Sequence, residues 1–283
     1  MSAHAASSAL RDIGGPSAYG GGARRLLYLT WIMGLTEYRL TYFGSALGYL
    51  WSLMRPLMLF GVLFVVFSEI VRFGEDIENY PVLLLLNIVL FNFFADATGR
   101  SVTSLVDREP IVRKMQFPLM VIPLARVLSG MFNLGISLGA VFLFLLAYGV
   151  DPRWTWLLLP VMIVPLMLLT LAVSMLLSAL YVRFRDVMPI WAVLSSVLFY
   201  GSPIFYAIEN VPEGYRRALL LANPLADILE QTRHWIVDPG AAGAVTAIGG
   251  AGWALVPAGA IVAVCALAVW VFNREAPRIA ERL

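Results

Sequence analysis

Six apolar runs divide the chain, at residues 53–71, 81–99, 119–148, 154–182, 188–207 and 248–272. Each comes close to or exceeds the roughly 20 residues that a helix needs to cross a bilayer, so the pattern predicts six membrane spans. The third and fourth are long enough to tilt or to project beyond the hydrocarbon, and Pro160 and Pro165 predict a bend in the fourth. Ahead of them, residues 24–52 mix Arg24, Arg25, Glu37 and Arg39 with Leu, Tyr, Trp and Phe. That mixture predicts a helix lying in the interface plane, because Glu37 and Arg39 at its middle are costly in hydrocarbon. Residues 1–23 are rich in Ala, Ser and Gly without the apolar core of a signal peptide, and predict a flexible tail. The expected organisation is therefore that tail, then one membrane domain over residues 24–283: the interfacial helix at 24–52, six spans within 53–273, and a short closing tail at 274–283.

Two interruptions between the apolar runs stand out. Residues 100–118, RSVTSLVDREPIVRKMQFP, carry Asp107, Arg108, Glu109, Arg113 and the chain's only lysine, Lys114, between Pro110 and Pro118. Charges this dense belong in water, and the two prolines limit any helix here to about two turns. Ile111, Val112 and Met115 give that short helix an apolar face to dock on something, which makes the loop a candidate handle for a motor outside the membrane. The other interruption, residues 208–247, has apolar residues at helical spacing broken by Asn223 and Pro224, and predicts two short helices meeting there. Such helices are expected on the external side, re-entering the outer membrane face under the cover of protein or a water-filled cavity, with a surface cap as the alternative.

Charge orients the spans. Fourteen of the 20 Lys and Arg flank one side, including Arg55, Arg100, Arg183, Arg185 and Arg274, and five flank the other, with Arg126 inside a run. The positive-inside rule therefore predicts a multi-pass protein with both termini and the 100–118 loop in the cytoplasm. Composition agrees: 60% of residues are hydrophobic and 13% charged, about half the charged share of soluble domains. The net charge of +2 gives no sign of nucleic-acid binding, and Cys265 reads as a packed thiol.

The search for an engine on this chain finds none. Lys114 lacks the glycines and the following Ser or Thr of a phosphate-binding loop. With two histidines, His4 and His234, and one cysteine, neither a His/Cys metal cluster nor a hydrolase triad is expected. Within the spans, Asn92, Asp96 and Arg100 share one helical face, and the Asp96 to Arg100 spacing allows an ion pair. In the third run Ser129, Asn133 and Ser137 line one face while Gly135 and Gly139 form a G-x-x-x-G, both predicting close helix packing with Asn133 as polar glue. The aromatics Trp51, Phe199, Tyr200, Phe205, Tyr206, Tyr215 and Trp235 sit near span ends, as interface anchors or as a lining for sugars.

Taken in order, Arg39, Tyr42, Ser45, Leu47, Gly48, Trp51 and Pro56, the stretch from Ile111 to Pro118, Pro123, the turn Arg183-x-Arg185-Asp186, and Asn223-Pro224 resemble the membrane subunit of ABC-2 type polysaccharide exporters. That family moves O-antigen, teichoic acid and related lipid-linked glycans. The resemblance implies an all-helical permease working as a homodimer on two separate ATPase subunits, which hold the ATP and Mg, with no cofactor or catalytic residue on this chain. It also implies ATPase coupling through Arg39, Tyr42, Arg108, Ile111, Arg113, Lys114 and Phe117, with Arg183, Arg185 and Asp186 on the same side. An external gate is implied around Tyr206, Tyr215, Asn223 and Pro224, and Arg39 and Arg55 fall where a lipid pyrophosphate would pass. The chain departs from the family loop at Arg108 and Pro110, where asparagine and an aliphatic residue are common.

Three rivals share parts of this pattern. An ABC-2 exporter of drugs or small lipids has the same plan of spans. A membrane glycosyltransferase would need catalytic groups in one loop, for which Glu209, Glu213 and Asp227 are the candidates, and an ion-coupled carrier would need a buried carboxylate, for which Asp96 is the candidate.

Overall fold

A computed structural model describes residues 22–42, 50–72, 77, 79–110 and 118–282 of the chain, and among these the regular structure is entirely helical. The organising element is α3 (Tyr80–Val102). Apolar on every side from Val82 to Leu86 and again from Ile88 to Phe91, it has no solvent face to offer, and 78% of its membrane window is buried by its neighbours. Around it stand α2 (Leu50–Phe64, continued by a π-helical turn, Val65–Ile70), α5 (Val121–Ala147), α6 (Leu159–Arg183) and α7 (Val187–Tyr200), with the four-residue α4 (Ser104–Asp107) just below. The last helix, α11 (Ala251–Arg282), packs along α6 and continues through the segment predicted as a closing tail. In α6 the fourth run begins as a 3-10 turn (Trp154–Leu158), and Pro160 sits in the first helical turn, where its missing N–H costs nothing.

The start of the stretch predicted as an interfacial helix is α1 (Ala23–Tyr42), while residues 43–49 lie outside the described residues and 50–52 open α2; the buried face of α1, Leu26, Thr30, Gly34 and Glu37, repeats at helical spacing. That face lies across the first half of α5. Contact is closest at Gly34, where an added Cβ would stand 2.8 Å from Leu128 Cδ2 and 3.1 Å from Leu128 Cβ. The G-x-x-x-G of the third run plays no such part, since Gly135 and Gly139 are exposed and a Cβ on either would meet nothing within 4 Å. Close approach on α5 occurs instead at Gly130, whose added Cβ would lie 3.3 Å from Phe93 and 3.4 Å from Ala97 of α3.

Among the described residues, five helices are long and apolar enough to cross a membrane: Leu53–Ile70, Tyr80–Val102, Val121–Ala147, Trp154–Arg183 and Ala251–Ile279. The remaining predicted span, residues 188–207, is the 14-residue α7 followed by six non-helical residues, 201–206. Together they run antiparallel to α3. Trp191 meets Phe94 with ring centroids 6.0 Å apart and Phe199 meets Phe91 at 5.1 Å. Nearer the start of α3, Asn87 Nδ2 donates to the Pro203 carbonyl at 2.9 Å and the Tyr80 hydroxyl to the Phe205 carbonyl at 2.8 Å. The Phe94 to Tyr80 stretch of α3 is about 21 Å long. The helix falls short because residues 201–206 leave helical geometry while continuing in the same direction.

At the Tyr80 end, α8 (Glu213–Ala222), α9 (Pro224–Ile236) and α10 (Ala244–Ile248) form a cap. The two helices predicted around Asn223 and Pro224 are α8 and α9. Asn223 is the N-cap of α9, its Oδ1 accepting from the backbone N–H of Leu225 at 3.1 Å and of Ala226 at 3.4 Å. The cap is anchored to the start of the fourth run, where the Thr155 hydroxyl donates to the Trp235 carbonyl and Trp156 Nε1 to that of Ile236 at 3.1 Å.

Candidate functional site

The polar groups inside this apolar body gather at two levels, and the helices set both. At the end of the bundle holding Arg55, Arg100, Arg126 and Arg183, here the basic end, an ion network ties three segments together. Glu37, 6% exposed, accepts from Arg108 Nη2 just after α4 and lies 3.5 Å from Arg126 Nε on α5. Arg126 Nη2 in turn reaches Asp107 at 4.0 Å, and the Thr103 hydroxyl donates to that carboxylate at 2.9 Å. Burial pushes the Glu37 carboxyl above its ordinary value against the opposing pull of Arg126 and Arg108. The network therefore joins α1, the end of α4 and the start of α5, the pieces that flank residues 111–117.

Beside it opens a polar cleft of about 310 Å³ between the end of α1, the start of α2, α3 and α5. Its wall on α3 carries Asn92, Asp96 and Arg100, so the face predicted from spacing lines one cavity. The pairing within that face is different from the expected one. Asp96 takes Arg55 of α2, whose Nη1 donates to Asp96 Oδ1 at 2.9 Å, and Arg100 makes no hydrogen bond or ion pair with any described residue. Packing of α2 against α3 brings Arg55 from 41 positions away, which an i, i+4 rule along one helix does not register. Across the cleft Asn133 acts as polar glue for a partner outside its own helix, accepting from the Tyr42 hydroxyl at 2.7 Å.

Of the residues expected to couple to an ATPase, Arg39 is exposed on α1, Tyr42 turns inward to Asn133, and Arg108 is committed to Glu37. Arg183, Arg185 and Asp186 form an exposed turn between α6 and α7 at the same end, with Arg183 over the Phe184 ring at 4.9 Å and Arg185 over Tyr181 at 4.8 Å. Ile111, Arg113, Lys114 and Phe117 lie outside the described residues. Glu37 and Arg126, the hub of the network, were not selected from the sequence. Their signal was there, because an acid in an amphipathic helix and an arginine inside an apolar run each demand a partner.

At the opposite end the unwound residues 201–206 leave carbonyls exposed in an apolar setting, and side chains satisfy them. Besides the bonds from Asn87 and Tyr80, Asn223 Nδ2 donates to Ser202 Oγ at 2.9 Å and to the Gly201 carbonyl at 3.4 Å. Asn223 thus caps α9 and holds the end of α7 with the same amide. Phe205 stacks on Phe67 at 4.6 Å and touches Tyr206 edge-on at 5.2 Å. The expected gate residues Tyr206, Asn223 and Pro224 fall in this region, whereas Tyr215 stands apart on the surface of α8, 70% exposed.

A second ion cluster locks the cap. Arg233, 5% exposed, donates from Nη1 to Glu209 at 2.6 Å and to Glu230 at 2.9 Å, and its Nη2 lies 3.5 Å from Asp238. Burial pushes Glu230 up to about 7, with Arg233 opposing; on Glu209 burial also works upward, but the Arg233 hydrogen bond and charge hold it below its ordinary value. These acids are tied up in holding the fold. Among the described residues no cluster of three or more His, Cys, Asp and Glu could hold a metal ion.

The comparisons with known proteins agree with this architecture. Residues 28–236 match the family described as ABC-2 type transporter. The chain is similar to the O-antigen export system permease protein RfbA of Myxococcus xanthus, 29% identical over 194 residues, covering 68% of this chain and 74% of that protein. It is also similar to the RfbA of Klebsiella pneumoniae, 29% identical over 203 residues (71% of this chain, 77% of that one). A more distant relative is the polysialic acid transport protein KpsM of Escherichia coli, 22% identical over 204 residues (72% and 79%). With the family match extending from α1 to the end of α9, the chain belongs to the ABC-2 type transporters, as a multi-pass membrane permease subunit.

Proposed function

We propose that this chain is the membrane subunit of an ATP-driven exporter that passes a lipid-linked polysaccharide across the bacterial cytoplasmic membrane, working as a homodimer above two ABC ATPase subunits. The observation that carries this reading is the match to the ABC-2 type transporters over residues 28–236, with relatives named for O-antigen export and polysialic acid transport. Family membership implies an ABC ATPase partner. The lysine and arginine distribution supports an orientation with the basic end and both termini in the cytoplasm. In that orientation α7 with residues 201–206 completes a sixth crossing, which brings the cap to the outer face.

The physical scheme needs a lever and a latch. ATP-driven closure of the partner presses on residues 111–117 and on the exposed turn at Arg183 to Asp186. Glu37 ties α1 to both flanks of the loop through Arg108 and Arg126, so the push moves α1 and α5 as one body. At the far end the path opens when residues 201–206 leave the hydrogen bonds of Asn87, Tyr80 and Asn223. Tyr206 and Pro224 border that opening.

Charge reversal at Arg113 and Lys114 (R113E/K114E) tests the lever. Surface glycan, followed by antibody or lectin staining, should be lost while the chain remains in the membrane fraction at its normal level. Normal surface glycan with the double variant removes the lever. Normal surface glycan in a strain lacking the gene altogether removes the export function.

A further inference from the structure

The ion cluster that locks the cap is out of balance. Three carboxylates, Glu209, Glu230 and Asp238, share the one guanidinium of Arg233, so with all four ionised three negative charges against one positive leave a surplus of two. The carboxylates are not equally served. Glu209, 44% exposed, also accepts from the backbone N–H of Ala242, and Asp238 accepts from that of Gly240 at 2.9 Å. Glu230 is 1% exposed, and among the described residues its donor is Arg233 Nη1 alone, which it shares with Glu209. A proton on Glu230 is thus the most favourable way to remove one surplus charge. The elements packed on α9 supply no other counter-charge. From α8, Arg216 is committed to the Glu209 and Val211 carbonyls, Arg217 lies over the Trp253 ring at 3.8 Å, and Glu213 and Tyr215 are exposed. From α3, Tyr80 donates to the Phe205 carbonyl; α10, the 3-10 turn at Trp154–Leu158, residues 159–180 of α6 and residues 251–264 of α11 carry no charged group but Cys265 further on, and Arg153 before the turn is exposed. On α9 itself His234 Nδ1 donates to the Ala241 carbonyl at 2.8 Å, and Asp227, one turn before Glu230, has a buried Oδ1 without a hydrogen-bond partner. The same helix reaches the unwound chain: Asn223, two turns or about 10 Å before Glu230, holds Ser202 Oγ and the Gly201 carbonyl.

We propose that the cap is a proton-loaded latch: a proton on the Glu230 carboxyl keeps α9 docked and, through Asn223, keeps residues 201–206 in place, and its loss overcharges the cluster and releases them. The inference rests on the permease reading, which puts the cap on the outer face and makes residues 201–206 the exit, so that external acidity holds the exit shut. Burial sets the direction. It pushes Glu230 up to about 7, with Arg233 opposing and the charges of Glu209 and Asp238 adding, and it pushes Asp227 up to about 6. In the docked cap these carboxyls hold protons at pH values where a solvated carboxyl is ionised. Docking therefore takes up protons and is favoured as pH falls from about 7 toward the ordinary carboxylate range. Above about pH 7 the penalty is present in full. Glu209 has the opposite sign: burial works upward there too, but the Arg233 hydrogen bond and charge hold it below its ordinary value, so its contribution is lost only as pH falls below that window. The cap is tightest at about pH 5.

The experiment follows hydrogen exchange of the full chain in phosphatidylcholine nanodiscs, corrected for the intrinsic pH dependence of exchange. The helix α9 and residues 201–206 should open about tenfold more often at about pH 8 than at about pH 5.5. E230Q keeps the size of the side chain and removes its charge. At the higher pH it should be as protected as the native chain is at the lower one, a gain that a damaged fold cannot produce. Loosening of α9 by E230Q at both pH values would mean that the ionised carboxylate holds the cap, and overturns the latch. An undiminished pH response in E230Q moves the titration to Asp227 or His234 and overturns it too, as does a native cap equally protected at both pH values. A response in α9 that residues 201–206 do not share overturns the link to the exit. Exchange and export separate the two proposals: a latch that behaves as expected, in a chain on which surface glycan does not depend, sinks the permease reading and keeps the latch. Surface glycan that depends on the gene, with a cap indifferent to pH, sinks the latch alone.

Discussion

Replacing Glu37 with Ala is expected to loosen α1 from the basic end of the bundle, at a cost of about 2 to 4 kcal/mol. Breaking a buried ion pair by removing one partner costs about 3 to 5 kcal/mol, since the other charge remains desolvated without compensation. Here Arg108 is stranded and Arg126 keeps only Asp107 at 4.0 Å, and their 22% and 25% exposure lets water recover part of the loss. The damage should be local to α1, whose outer face, Leu27, Tyr28 and Trp31, is exposed. Hydrogen exchange should show α1 opening tens to hundreds of times more often in E37A while α3 stays protected, because α3 is held by burial on all sides. Export should fall with it, since a detached α1 no longer moves with α5. Equal protection of α1 in E37A and the native chain would mean that apolar contact with α5, not the ion network, holds the helix.

Substituting Arg233 with Met should destabilise the cap by a comparable or larger amount, about 3 to 5 kcal/mol. One guanidinium, 5% exposed, bridges three carboxylates, and Glu230 beside it is 1% exposed. Without Arg233 the burial that already pushes Glu230 up to about 7 acts unopposed, and the carboxyl must take up a proton or open the cap. The double variant R233M/E230Q removes the worst stranded charge and should recover part of the loss, a coupling that a double-mutant cycle of cap unfolding measures. Strict additivity of the two substitutions would contradict a shared ion cluster.

How far the sequence foretold this arrangement depends on the range of the interaction involved. Local signals were legible. Mixed charge and aromatics marked α1 as a helix outside the spans, and Asn223 followed by Pro224 marked the break between α8 and α9, because a cap and a helix start are decided within four residues. Partner choice was not. Asp96 pairs with Arg55 instead of Arg100, and Asn133 serves Tyr42, because which helices touch is set by packing across the bundle. The length of the fifth apolar run was also misleading. Hydropathy sees 20 apolar residues, yet α7 stops at Tyr200, and the remainder is tolerated as non-helical chain only because Asn87, Tyr80 and Asn223 satisfy its carbonyls. Gly135 and Gly139 matched a packing motif but face open space, while Gly34 and Gly130 carry the close contacts without any motif to announce them.

The most direct measurement is transport in sealed vesicles reconstituted with the purified chain, with and without the ABC ATPase that family membership implies as its partner. A fluorescent lipid-linked glycan supplied on the basic face should appear on the cap face only when both the ATPase and ATP are present, and R113E/K114E should abolish its movement while the chain remains inserted. Movement of the glycan by this chain alone, or failure to move any glycan when the ATPase is bound and hydrolysing ATP, would contradict a permease worked from the cytoplasm by a partner.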